Sequence, residues 1–132
     1  MTEAELKNNI MNHNLDNSLD NDIINHVQFE DMRDLFEEDF AELLRTYFTD
    51  SQQRIVLLRA AQAANDNANG FEAAHALKGA SANIGATQLV ALSDQLQEYC
   101  RERQINEQAK LIENIAIALQ CAEQEINKRL SY

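Results

Sequence analysis

Apolar residues return at every third or fourth position along most of this chain, the period of an amphipathic helix. Between Asp31 and Ala64 the stripe is Phe36, Phe40, Leu43, Leu44, Tyr47, Ser51, Ile55 and Leu58, with an acidic face opposite. It predicts one long core-facing helix. The stretch "NDNANG" (Asn65 to Gly70) stops it. A second helix can begin in two ways: with Asp66 or Asn67 as N-cap, or at Phe71 after an Asn69-Gly70 turn. The Asp66 start is preferred because it gives a workable length up to Ile84. Gly70 is then a tolerated weak spot, and Gly85 terminates the helix. A third helix runs from Thr87, read as its N-cap, to Arg103, with Leu89, Leu92, Leu96, Tyr99 and Cys100 as its stripe. A fourth runs from Asn106 to Leu130 on Leu111, Ile112, Ile115, Leu119, Ala122 and Ile126.

Residues 1–28 break this rhythm. Seven asparagines (Asn8, Asn9, Asn12, Asn14, Asn17, Asn21 and Asn25) interrupt a few aliphatics. Asparagine is a poor helix-interior residue because its side chain competes for the backbone. The reading is a partly disordered arm that ends in a short helix around Asp22–Phe29. Ile23, Ile24 and Val27 would dock that helix on the domain, residues 29–132. The chain has no proline, and its connections are short, so neighbouring helices run antiparallel. The expected fold is all-α: an antiparallel up-down four-helix bundle with an N-terminal extension or short extra helix.

The net charge of −11 removes nucleic acid from the candidate partners, because a phosphate backbone demands a basic stripe. Anionic membranes are disfavoured for the same reason. No apolar run approaches the ~18 residues of a membrane span, and the first residues lack the pattern of a secretory signal. The expected setting is the cytoplasm, and one bundle that buries all four stripes predicts a monomer. Cys100 and Cys121 lie on adjacent antiparallel helices, offset along the axis by roughly 16 Å. That is too far for a disulfide, so both are expected as free thiols.

The candidate chemistry sits in "AHALKGASANIGA", residues 74–86. On a helical wheel with His75 at zero, Leu77, Ser81, Ile84 and Ala74 fall between about 180° and 260°. That arc is the core face, so His75 points to solvent. Lys78 (about −60°), Gly79 (about +40°), Ala82 (about −20°) and Phe71 (about −40°) share the side of His75. A glycine and an alanine above the ring leave the imidazole uncovered. An open imidazole with a cation beside it suits a nucleophile that takes up a phosphoryl group, and Lys78 would partly neutralise the phosphoryl oxygens. Each residue alone has a plainer reading: an idle surface histidine, a solvated lysine, a glycine for close packing.

A metal site is the sharpest rival. Glu72 and His75 form an E-x-x-H, the spacing of di-iron carboxylate bundles. Such sites need a second E-x-x-H and two more glutamates. His13 and His26 have isoleucine at the corresponding positions and read as incidental. With only three glycines, the chain has neither a phosphate-cradling loop nor a nucleophile elbow.

The stretch resembles the signature of the histidine-containing phosphotransfer (HPt) domain. His75, Leu77, Lys78, Gly79, Ala80, Ser81, Ala82 and Gly85 stand where that signature has its histidine, leucine, lysine, glycines and small residues. The resemblance extends from about Phe29 to the C-terminus, and an aspartate nine residues before the histidine, here Asp66, is frequent in the family. It implies that Gln97, 22 residues after His75, hydrogen-bonds the ring nitrogen that is not phosphorylated. Otherwise Gln97 reads as a surface amide. The resemblance also implies a carrier rather than an ATP-dependent kinase. The phosphoryl group would pass reversibly between His75 and aspartates on the receiver domains of hybrid sensor kinases and response regulators. It implies no cofactor of the carrier's own, the magnesium belonging to the receiver. A receiver would dock on the first two long helices around His75, with Phe71 either a docking residue or the edge of the core. A catalytically silent helical adaptor is the alternative. A histidine kinase fragment is disfavoured because the chain is too short to hold an ATP-binding domain. Asn83 has no assigned role.

Overall fold

The computed structural model describes residues 23–130. The earlier part of the asparagine-rich arm, His13 included, lies outside the described residues. The elements are α1 (His26–Phe36), a 3-10 turn (Glu37–Asp39), α2 (Phe40–Ala63), α3 (Asn67–Ile84), α4 (Thr87–Arg101), a 3-10 turn (Ile105–Glu107) and α5 (Ala109–Leu130). Each long helix packs on its sequence neighbour, and α5 closes back on α2. The long helices α2–α5 thus form an all-α, up-down four-helix bundle, with α1 as a short extra helix.

Three helix ends share one backbone device, which keeps the connections short. After α2, the Asn65 N–H bonds the Gln62 carbonyl and the Asp66 N–H bonds the Ala61 carbonyl, at 3.2 and 2.8 Å. After α3, Gly85 and Ala86 bond Ala82 and Ser81 at 3.2 and 2.9 Å. After α4, Arg103 and Gln104 bond Cys100 and Tyr99 at 3.0 and 2.9 Å. This is the Schellman pattern, which requires one residue in the left-handed region. Asn65 (φ 51°), Gly85 (φ 80°) and Arg103 (φ 60°) supply it. The residue that completes each of the first two motifs also starts the next helix. Asp66 caps α3 through a bond from the Asn69 N–H at 3.0 Å, and Ala86 is the N-cap of α4.

Four expectations are corrected. The single helix over Asp31–Ala64 is two helices broken at Glu37–Asp39, where Glu37 takes φ 48°. In one straight helix Phe29 and Phe40 would stand about 16 Å apart. The break folds α1 back so that their rings meet edge to face at 5.2 Å, both buried. The short helix α1 spans His26–Phe36 and so continues past Phe29, while the expected start at Asp22 lies outside the described residues. Ile23, Ile24 and Phe29 are buried, but Val27 is 68% exposed. The N-cap of α4 is Ala86, one residue before Thr87, and α4 ends at Arg101, leaving Tyr99 at the exposed edge. The fourth helix begins at Ala109. Ahead of it Ile105 is fully buried, and its N–H bonds Asn67 Oδ1 at 3.0 Å.

The N-terminal segment is fastened to α3 on one side and to α5 on the other. The Asn25 N–H bonds the Gly85 carbonyl at 2.7 Å, and the Gln28 side-chain amide bonds the Ala82 carbonyl. On the other side Arg129 of α5 pairs with Glu125 at 2.9 Å, both nearly buried. Its guanidinium also lies 5.5 Å from the centre of the Phe29 ring. Within the core, Tyr47 of α2 and Ser81 of α3 share a buried hydrogen bond of 2.7 Å. Burial pushes the Tyr47 hydroxyl above its ordinary pKa. Cys100 and Cys121 form no disulfide with each other, and burial raises the Cys100 pKa.

Gly70 is a packing requirement rather than a weak spot. A Cβ there would stand 2.2 Å from Ile105 Cδ1 and 3.2 Å from Cys100 Sγ, whereas one at Gly79 would meet nothing within 4 Å. Gly70→Ala should therefore lose about 1–2 kcal/mol of stability to overpacking. Gly79→Ala should gain up to about 1 kcal/mol from helix propensity. Urea midpoints compare the two. Bonds from the Asn69 backbone N–H and then its side-chain amide hold the Asp66 carboxyl below its ordinary value of 3.8. The cap's contribution is present above the unfolded-state value and is lost as pH falls through the lower folded one. Asp66→Asn should therefore reduce the loss of stability between neutral pH and about pH 3.

Candidate functional site

The turn at Gly85–Ala86 lays α4 antiparallel on α3 and sets which residues face one another. Pairs equally distant in sequence from Ala86 meet across the two helices. Eight residues to either side, Lys78 Nζ lies 2.8 Å from Asp94 Oδ1. At eleven, His75 Nδ1 lies 3.4 Å from Gln97 Oε1. At fifteen, the Arg101 guanidinium carbon lies 5.3 Å from the centre of the Phe71 ring. These rungs are three or four residues apart on each helix, the spacing at which side chains share a face.

His75 is exposed. Its ring is stacked on Phe71, with centroids 5.9 Å apart and planes only 6° from parallel. Gln97 is 4% exposed, so it is a buried amide and not a surface one. An amide oxygen can only accept a hydrogen bond. The pairing therefore calls for a proton on Nδ1, which leaves the lone pair of Nε2 available. Around the ring, Gly79 faces open space and Ala82 is half-buried. The arrangement can hold an imidazole in one tautomer with an uncovered approach and a cation one turn away.

The structure thus brings His75, Gln97, Phe71, Lys78, Gly79 and Ala82 to one patch of the α3–α4 face. Lys78 is not a loose cation, because Asp94 engages it. Asp94 and Arg101 escaped the sequence reading. Both follow once Ala86 is taken as the pivot and residues are counted outward equally. Arg101 is itself bonded to Glu98 Oε1 at 2.8 Å. Glu72 is exposed beside His75. Among the described residues no three or more His, Cys, Asp or Glu side chains are grouped to hold a metal ion. Nor is any helix among them long and apolar enough to cross a membrane. His26 Nδ1 lies 3.4 Å from Arg129.

No curated protein sequence matches the chain. Among solved structures, the chain resembles histidine-containing phosphotransfer protein B (HptB) from Pseudomonas aeruginosa PAO1. The TM-score is 0.71 and the identity 28%, over 80% of this chain and 96% of that one. The Hpt domain family matches residues 42–127, which hold all three rungs. The chain belongs to the Hpt domain family, and its role is histidine phosphotransfer in a phosphorelay.

Proposed function

We propose that His75 carries the phosphoryl group, accepting it from the aspartyl phosphate of one receiver domain and giving it to the aspartate of another. The observation that supports this most is the pairing of an exposed His75 with the buried Gln97. Gln97 accepts from Nδ1–H at 3.4 Å and leaves Nε2 as the nucleophile. In the transfer the aspartyl P–O bond breaks as the P–Nε2 bond forms, and the carboxylate departs with the bonding pair. Nδ1 keeps its proton, so the ring becomes positive. The Gln97 oxygen stabilises that charge, and Lys78 approaches the phosphoryl oxygens. Magnesium is assigned to the receiver, and the chain works as a monomer in the cytoplasm.

Receiver docking is assigned to the α2–α3 face beside His75. There a groove of about 580 Å³ is lined by Leu57, Ala60, Ala73 and Ala76, with Arg54 and Glu72 among its polar residues. Leu57, which lines it, is 58% exposed, an apolar side chain offered to solvent. Phe71 serves the site by stacking on His75, so its own contact with a receiver is confined to its exposed edge.

Incubation with a phosphorylated receiver should give acid-labile, base-stable phosphate on the wild type and none on His75→Gln. An unlabelled wild type, or a variant labelled as strongly, overturns the assignment. Gln97→Leu should keep the fold by circular dichroism yet slow transfer by about tenfold or more, since one hydrogen bond to a charged group contributes roughly 1.5–3 kcal/mol. Stopped-flow or quench measurement of the loading rate checks it. Lys78→Ala should likewise slow transfer in a folded protein.

A further inference from the structure

The lysine one turn from His75 is already engaged. Lys78 Nζ stands 2.8 Å from Asp94 Oδ1, and the two side chains are 37% and 49% exposed. An ion pair at the solvent edge is weak. It holds Lys78 against α4 in the resting protein and opens readily for a stronger anion. A phosphoryl group on His75 is such an anion, with two negative charges against the single one of Asp94.

We infer that Asp94 is a positioning residue that competes with the phosphoryl group for Lys78 and so keeps phosphohistidine ready to give that group away. The inference rests on His75 as the carrier. On loading, the P–O bond to the receiver aspartate breaks, the P–Nε2 bond forms, and the aspartate leaves as carboxylate. No electron donor or further reactant enters. Lys78 then turns toward the phosphoryl oxygens and gives up some or all of its bond to Asp94. Two costs follow. Asp94 loses its partner, and its charge stands near a dianion. Both raise the energy of the loaded state relative to the receiver's aspartyl phosphate.

The neighbouring carboxylates do not serve this way. Glu98 is bonded to Arg101 at 2.8 Å, and Glu72 lies on α3 itself, on the far side of His75 from Lys78. Asp94 alone among them is in contact with the lysine that the phosphoryl group would use. A lysine without this competitor would hold the phosphoryl group more tightly, and a carrier that binds too tightly becomes a sink. The register about Ala86 that pairs His75 with Gln97 also delivers Asp94 to Lys78, so one turn sets both the nucleophile and its restraint.

The test is the equilibrium ratio of phosphohistidine to phosphoaspartate, measured with the full chain and a purified receiver loaded from a small-molecule phosphodonor. Asp94→Asn should move the ratio toward phosphohistidine by about two- to fivefold, the range expected for an exposed ion pair. Asp94→Ala should move it the same way. In a Lys78→Ala background the shift should shrink to the part that the charge of Asp94 alone contributes, which a merely structural role for Asp94 would not produce. An unchanged ratio, a shift toward phosphoaspartate, or an equal shift with and without Lys78 overturns the inference. A wild-type chain that takes no base-stable phosphate, or a His75→Gln chain that takes as much, shows instead that the carrier assignment has failed. The inference about Asp94 then falls with it.

Discussion

The left-handed turn at Gly85 is the constraint on which the site depends. With φ at 80° it lets Ala86 bond back to Ser81, ends α3 and starts α4 without a loop. A β-carbon there would be strained by φ and would also stand 3.1 Å from the Asn25 carbonyl oxygen. Once the turn is made, the facing pairs of α3 and α4 are decided. His75 meets Gln97, Lys78 meets Asp94, and Phe71 meets Arg101. A slip of one residue on α4 would rotate its facing side chains by about 100° and dissolve all three pairs.

The rest of the bundle serves to hold that pair still. The core stripe of α3 (Ala73, Ala74, Leu77, Ser81 and Ile84) is buried, and Tyr47 ties it to α2 through Ser81. Gly70 brings the start of α3 against Ile105 and Cys100, which fixes the far end of the hairpin. The N-terminal segment closes the near end, where Asn25 and Gln28 bond the last turn of α3. The glycines thus differ in their surroundings. Gly70 permits close packing, Gly85 makes the turn, and Gly79 faces open space.

Much of this was legible in the sequence because apolar periodicity and helix punctuation are local signals. The stripes of the four long helices, the Asp66 cap and the Gly85 stop all follow from residues within a few positions of one another. The wheel placed His75 opposite Leu77 and Ile84 without any tertiary information. The misreadings come from contacts between residues distant in the chain. Phe36 and Phe40 fit one helical stripe, and the break between them shows only with the packing of Phe29 on Phe40. Gly70 looks like a propensity defect until Ile105, 35 positions on, arrives beside it. Arg103 and Glu37 at positive φ carry no local signature at all. Asp94 and Arg101 look like solvated charges on a surface helix, and they join the site only through the register that the Gly85 turn imposes. The resemblance to the HPt signature reached Gln97, but the pairing of Lys78 with Asp94 appears only when α4 is laid on α3.

The central claim is that this register turns Nδ1 of His75 to Gln97 and leaves Nε2 to take the phosphoryl group. The most direct measurement is the phosphorus–nitrogen coupling in the phosphorylated chain labelled with ¹⁵N at histidine. The account predicts coupling to Nε2 of His75 with a proton retained on Nδ1. Coupling to Nδ1, or a phosphoryl group on any residue other than His75, would contradict it.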